Sequence, residues 1–209
     1  MNKDLYLGFK DANFWADFSF VDFPEGYLES MAASANDALV AMGELEGGAL
    51  ANPDENRMVG HYWLRAPELA PSEEITNAIQ DTLAKTKNLA DRVHEGDLRA
   101  PAGAFTDLLI IGIGGSALGP QFVGRALGHP KTNRLAVHFF DNTDPDGIDL
   151  TLAEIGERLA TTLAIVISKS GGTPETRNGM LEAENAFSQN GLDFAKQAIA
   201  ITGEGSKLH

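Results

Sequence analysis

Two short stretches of glycine and hydroxyl residues have the clearest potential for chemistry in this sequence. One is Gly112–Ser116 and the other is Ser168–Thr173, and each follows a continuous apolar run. Glycines let the backbone turn sharply and bring amide N–H groups close to a ligand, and hydroxyls donate hydrogen bonds. Such donors, placed ahead of the positive end of a helix, are typical of a phosphate site. The first stretch, taken alone, could equally be a tight strand-to-helix turn without a ligand.

The second stretch offers the larger set of donors. Ser168, Ser170 and Thr173 supply three hydroxyls in six residues. Gly171 and Gly172 expose main-chain amides between them. The stretch therefore indicates a loop that can surround phosphate oxygens.

Three residues around these donors allow two interpretations each. Thr173 either binds phosphate or caps the helix that Pro174 starts. Lys169 is either a cationic contact or a solvated side chain. Glu175 either favours the helix dipole from the first turn or lies at the reacting end of a substrate. The sequence leaves these alternatives open.

The apolar runs predict the scaffold that positions both loops. Four runs alternate with gaps long enough for crossover helices, and they are Leu108–Ile113, Leu135–Phe140, Leu163–Ile167 and Ala198–Ile201. Short, continuously apolar runs are expected of strands buried on both faces of a parallel sheet. The pattern predicts an α/β fold with a doubly wound, Rossmann-like sheet of order 2-1-3-4. Both glycine loops then meet at the switch point where such sheets bind ligands.

Proline and glycine mark the predicted starts and ends of two crossover helices. One helix is expected to have Pro120 in its first turn and Gly128 beyond its end. The other is expected to start at Pro174 and to end before Gly191.

The first hundred residues predict helical and irregular structure. Met31–Leu45 is rich in helix formers and stops before two glycines. A second helix is expected from about Ser72, a suitable N-cap. We therefore predict a helical segment over residues 1–100 and a sheet domain over residues 101–209, incomplete at its C-terminal edge.

Composition excludes several classes of function. The net charge of −14 repels nucleic acid and anionic membrane, so we expect neither as a partner. The sequence has no cysteine and its five histidines lack ligand spacing, so we expect no disulfide and no metal site. The polar start Asn2–Asp4 lacks the apolar run of a signal peptide, and no stretch is long enough to span a bilayer. These features predict a cytoplasmic protein.

A dinucleotide site is the main alternative for the first loop. Gly112–Ala117 fits the pattern G-x-G-x-x-A, and Asp141 after the second run could hold a ribose. This interpretation leaves Ser168–Thr173 without a role.

Four stretches in this order resemble the bacterial form of the glucose-6-phosphate isomerase family, whose N-terminal half carries a sugar-isomerase (SIS) domain. They are Glu55–Arg65, Ile113–Pro120, Val137–Asp144 and Ser168–Thr176. The resemblance covers most of the chain from about residue 55 onward. It implies a SIS-type sheet that binds glucose 6-phosphate or fructose 6-phosphate without a cofactor.

The resemblance also implies which residues bind the substrate. The phosphate-binding set is Gly115, Ser116, Ser168, Lys169, Ser170, Gly171, Gly172 and Thr173. Glu175 matches a family glutamate near the active site and is the one catalytic candidate in this chain. Where many members have threonines in the middle of the second loop, this sequence has Gly171 and Gly172.

Members of this family are much longer and carry a second SIS domain. Their proton-transferring glutamate and ring-opening residues match nothing here, so we expect this chain to bind sugar phosphate without turnover. The last residues, Thr202–His209, look like the loop before another helix, and we expect a longer parent isomerase. A stand-alone SIS-type sensor is the alternative. The resemblance is compatible with a homodimer.

Overall fold

A computed structural model describes residues 5–209. The chain divides into two compact units, Met1–Leu83 and Ala84–His209. Helix α2, Glu73–Glu95, begins in the first unit and ends in the second. The domain boundary predicted at residue 100 lies later in the chain than the division between these two units, and it stays a prediction.

The first unit combines helices with two small antiparallel hairpins. Strands β1, Tyr6–Phe9, and β2, Phe14–Asp17, form one hairpin. Strands β3, Leu50–Asn52, and β4, Arg57–Met58, form the other. Helix α1, Tyr27–Glu46, lies between the hairpins in sequence.

The sequence predicts the helices of this unit but not its hairpins. Helix α1 ends before Gly47, as predicted, and starts four residues earlier than the predicted Met31. The hydroxyl of Ser72 accepts a hydrogen bond from the amide of Ile75 at 3.4 Å, which confirms Ser72 as the cap of α2. The hairpin strands have two to four residues each. Such strands are too short to display the alternation by which a half-buried strand is predicted.

The stretch at residues 55–65 contains a buried tryptophan. Trp63 is 4% exposed, and its indole Nε1 donates to the carbonyl of Glu46 at 2.8 Å. Gly60 leaves room for the ring, since a Cβ there would lie 2.7 Å from Trp63 Cε3. The stretch is therefore anchored by packing against the end of α1, which local periodicity does not predict.

The second unit is built on a parallel sheet of four strands. They are β5, Asp107–Ile111, β6, Ala136–Phe140, β7, Thr162–Ser168, and β8, Ala198–Thr202. Their order is β6-β5-β7-β8, which is the predicted 2-1-3-4. Ile111 of β5 pairs with Val166 of β7, so the segments after these strands leave the same edge side by side. The predicted doubly wound α/β fold is confirmed.

Helices α3, Gly115–Leu127, α4, Pro145–Ile155, and α5, Pro174–Gln189, connect the strands. The main core lies between the sheet and α4 and α5, and its fully or nearly buried members are Leu109, Ile111, Phe140, Ile148, Ile155, Leu159, Val166, Ala183 and Phe187. The opposite face of the sheet packs Leu163 with Val93 of α2. Burial on both faces is the reason that the central strands β5 and β7 are almost entirely apolar, whereas the edge strands β6 and β8 keep exposed positions.

The helix boundaries agree with those predicted from proline and glycine in all respects but one. Helix α5 starts at Pro174, and Gly191 follows its end with a φ of 70°. Helix α3 starts at Gly115, so Pro120 lies in the second turn and not in the first, as was predicted. Because proline has no N–H, the carbonyl of Ser116 lacks the hydrogen bond that another residue at this position would donate.

At the amino edge of the sheet a buried carboxylate joins three elements. The side chain of Asp107 is 1% exposed and accepts hydrogen bonds from His138 at 2.8 Å, Arg158 at 3.1 Å and Thr106 at 2.8 Å. Burial raises the pKa of Asp107, but the hydrogen bonds from Arg158, His138 and Thr106 outweigh it, and the net pKa is lowered. The ionised carboxylate therefore ties β5 to β6 and to the turn before β7.

Candidate functional site

The first glycine loop is a tight turn from β5 into α3. A Cβ on Gly112 would lie 2.8 Å from Cβ of Ser116, and Gly114 has a φ of 56° and a ψ of −124°. Both positions therefore require glycine. The turn places half-buried Ser116 in the first helical turn, and its hydroxyl has no hydrogen-bond partner among residues 5–209.

The second glycine loop closes on itself at its base. The amide of Gly171 donates to the carbonyl of Ser168 at 3.1 Å, and the amide of Gly172 donates to Oγ of Ser170 at 3.2 Å. Ser168 ends β7 and is 4% exposed, and its Oγ lies 3.0 Å from Oγ1 of Thr173. Two hydroxyls therefore converge where the loop begins and ends.

Thr173 occupies the N-cap position of α5 without capping the helix. Its φ is −61° and its ψ is 116°, and its side chain accepts no bond from the first turn. The alternative role of Thr173 as a side-chain cap is wrong, because its hydroxyl pairs with Ser168 instead. The first amides of α5 receive no cap from this side chain, and they remain donors for a ligand.

The residues after β8 pack against the second loop. The hydroxyl of Thr202 donates to the carbonyl of Ser168 at 2.7 Å. A Cβ on Gly171 would lie 2.5 Å from the amide nitrogen of Leu208, so only glycine allows this contact. The conformation of the loop is therefore held by contacts between residues more than thirty positions apart in sequence.

A cleft of about 290 Å³ lies between the second loop, α5 and the residues after β8. Its lining residues are Val166, Ser168, Gly171, Gly172, Thr173, Thr176, Arg177, Met180, Lys207 and Leu208. The sequence motifs did not predict the two cations, Arg177 and Lys207. Arg177 follows Thr173 by four residues, so the helical period could have placed it on the same side of α5. No local signal in the sequence points to Lys207.

The other predicted site residues lie around this cleft and do not line it. Lys169 and Ser170 are exposed on the loop, and Glu175 is half-buried in the first turn of α5. Gly115 and Ser116 belong to the first loop, which the register of β5 and β7 puts beside the second loop at the same edge. Four of the nine predicted residues share the cleft, and five surround it.

The dinucleotide alternative requires the carboxylate of Asp141, which is already engaged. Nε2 of Gln121 donates to one oxygen at 2.6 Å, and Nδ2 of Asn142 donates to the other at 3.0 Å. A ribose would have to compete with both protein donors. The arrangement therefore gives the dinucleotide alternative no support.

Hydroxyls, main-chain amides and two cations line the cleft, and these groups suit an anion. Among residues 5–209, no three histidine, aspartate or glutamate side chains gather in a group that could hold a metal ion. Within the same range, every helix is too short or too polar to cross a membrane.

The sequence is similar to known isomerases over nearly its whole length. A sequence model of the phosphoglucose isomerase family matches residues 22–209. Glucose-6-phosphate isomerases from Synechococcus elongatus and a Geobacter species are 60% identical over 196 residues and 61% identical over 207 residues. These alignments cover 93% and 99% of this chain but 37% and 39% of the two relatives. The chain thus spans about two fifths of the length of these relatives.

Solved structures agree with this assignment. A glucose-6-phosphate isomerase from Chlamydia trachomatis is 26% identical, with a TM-score of 0.79 over 99% of this chain and 40% of its own. A hypothetical protein from Thermus thermophilus is 25% identical, with a TM-score of 0.58 over 87% of this chain and 37% of its own. The resemblance that the motifs carried is confirmed by the family match and the identities. The chain belongs to the phosphoglucose isomerase family.

Proposed function

We propose that this chain is the sugar-phosphate-binding N-terminal part of a glucose-6-phosphate isomerase, an enzyme of glycolysis and gluconeogenesis that interconverts glucose 6-phosphate and fructose 6-phosphate. Family membership supports the class of reaction. The observation that carries the proposal of binding is the pair of hydroxyls of Ser168 and Thr173, 3.0 Å apart beside two glycine amides. The stand-alone sensor and the dinucleotide domain are not favoured by these observations.

The second loop would supply most of the hydrogen bonds to phosphate. One of the two hydroxyl hydrogens forms the bond between Ser168 and Thr173, and the other remains free to donate to a ligand. The uncapped start of α5 would add main-chain donors, whereas the amides of Gly171 and Gly172 would bond phosphate only in place of their bonds to Ser168 and Ser170. Lys169 and Ser170 would approach from the exposed side of the loop.

The first loop would close the site from the neighbouring strand. Ser116 has a hydroxyl without a partner among residues 5–209, and Gly115 would approach the ligand through its backbone. Because the net charge of −14 repels anions at long range, these local donors must hold the phosphate at short range.

A titration with fructose 6-phosphate tests the proposal of binding. We expect binding of fructose 6-phosphate and of inorganic phosphate, and none of unphosphorylated fructose. Ser168→Ala should weaken binding, whereas Ser188→Ala, the same change at the exposed far end of α5, should not. Tighter binding of NAD than of fructose 6-phosphate would overturn the proposal and restore the dinucleotide alternative.

We propose that the isolated chain does not turn over its substrate. The reaction moves a proton between C1 and C2 and needs a general base within reach of both carbons. The resemblance assigns that base and the ring-opening residues to parts of the family's sequence with no match here, which leaves Glu175 as the nearest carboxylate candidate. A coupled assay of fructose 6-phosphate conversion should give no rate above the blank. A rate that survives removal of host isomerase, and that Glu175→Gln abolishes, would contradict this.

We also propose a homodimer in a cytoplasmic setting. Sedimentation over a range of protein concentrations tests the oligomeric state. Fractionation of the source cells tests the location.

A further inference from the structure

The segment after β8 forms one wall of the cleft, and it is held in place. The amide of Gly203 donates to the carbonyl of Lys169 at 3.1 Å. The hydroxyl of Thr202 lies 2.6 Å from that of Ser206, which ties the turn together. As a result Lys207 lies beside the loop, with its Cδ 3.9 Å from where a Cβ on Gly172 would be.

A hydroxyl on a nearly buried residue of the same cleft lacks a protein partner. Thr176 is 4% exposed and lines the cleft. Its side-chain oxygen makes no hydrogen bond to another residue among residues 5–209. Its oxygen is not among the fully enclosed unpaired atoms of residues 5–209, so it opens to the cleft, where a polar ligand or water can bond it. Thr176 is therefore an observation independent of the glycine loop.

The charge of the cleft identifies the ligand as an anion. Arg177 and Lys207 line it, and none of its ten lining residues is acidic. In the described part of the chain no carboxylate lies within ion-pair distance of Lys207, and Arg177 donates to the neutral side chain of Asn178. Such a local excess of positive charge contrasts with the net charge of −14.

We propose that Lys207 and Thr176 are further ligand-binding residues of the sugar-phosphate site, beyond the two glycine loops. Lys207 supplies a positive charge at the anionic group of the ligand, and Thr176 donates a hydrogen bond from the floor of the cleft. This inference rests on the proposed function, because the ligand it assigns is the same sugar phosphate.

Titration of three variants of the full 209-residue chain with fructose 6-phosphate and with inorganic phosphate tests the inference. Lys207→Met should weaken binding of both ligands about tenfold. Lys131→Met removes the same charge from the loop before β6, at the opposite edge of the sheet, and should bind like the parent. Thr176→Val keeps the shape of the side chain and should weaken binding several-fold without lowering the melting temperature.

Each result separates this inference from the proposed function. If the parent chain binds neither ligand, both the proposed function and the inference fail. If the parent binds and Lys207→Met and Thr176→Val bind equally well, the inference fails and the proposed function stands. Equal weakening by Lys131→Met would assign the effect to overall charge and would also overturn the role of Lys207. A lower melting temperature in Thr176→Val would mark its hydroxyl as structural.

Discussion

The hydroxyl oxygens of Ser168 and Thr173 lie 3.0 Å apart, and their hydrogen bond joins the last residue of β7 to the residue before α5. It closes the loop that the sequence motifs assign to phosphate. A loop closed in the absence of ligand needs less ordering when the ligand binds. The same bond should therefore serve both the stability of the loop and the proposed binding of phosphate.

Ser168→Ala should lower both affinity and stability. A charge-assisted hydrogen bond contributes about 1.5–3 kcal/mol, so binding of fructose 6-phosphate should weaken roughly tenfold to a hundredfold. Because Ser168 is 4% exposed and bonded to Thr173, the free energy of unfolding should also fall by about 1 kcal/mol. Calorimetric titration and urea denaturation measure the two effects. Parent-like binding would show that the loop has only a structural role.

The stability effects of Ser168→Ala and Thr173→Ala should not add. Both changes remove one shared hydrogen bond, and Thr173 makes no cap that it could lose separately. The double variant should therefore lose about as much free energy of unfolding as either single variant, which gives a coupling energy of about 1 kcal/mol. Thr173→Ser keeps the hydroxyl and serves as the control. Additive losses in the urea denaturation cycle would contradict the pairing.

Gly171→Ala should destabilise the protein more than Gly205→Ala. Both glycines have a positive φ, 64° and 72°, so an alanine at either position costs about 1–2 kcal/mol of backbone strain. Only at Gly171 would the new Cβ collide with the main chain, 2.5 Å from the amide nitrogen of Leu208. Overpacking of this kind adds about 1–3 kcal/mol. Equal melting temperatures of the two variants would mean that the segment after β8 does not contact the loop in solution.

Asp107→Asn should make the protein less stable near neutral pH and should have little effect in acid. The pKa of Asp107 is lowered in the folded state, so its carboxylate stabilises the fold above its ordinary pKa of about 4. That contribution is lost as the pH falls through the lowered pKa. We expect a loss of about 2 kcal/mol in the free energy of unfolding at pH 7, from the hydrogen bonds to a charged acceptor.

Urea denaturation between pH 7 and pH 3 checks this prediction, and the difference between Asp107→Asn and the parent should shrink at the acid end. Asp97→Asn, at an exposed aspartate, is the matched control and should follow the parent at every pH. A difference that stays constant down to pH 3 would contradict an ionic role for Asp107.

The sheet and the loops that leave it could be predicted from the amino-acid sequence. Parallel strands bury both faces, so β5 and β7 had to be continuously apolar, and a continuous apolar run is visible in one dimension. Sharp turns before helices need glycine at particular positions, such as Gly112 and Gly114, and this need is also local. The hairpins of the first unit could not be predicted, because their strands are shorter than the pattern that identifies a strand.

The surroundings of the second loop depend on contacts between distant parts of the chain. A threonine before a helix can cap it or bond another side chain. The packing of β7 against the start of α5 places the hydroxyl of Ser168 beside Thr173, so the two hydroxyls pair and α5 has no side-chain cap. Lys207 reaches the cleft because β8 pairs beside β7 and its following residues turn back over Gly171. Strand pairing and loop packing act between residues far apart in sequence, so no local spacing of residue types records them.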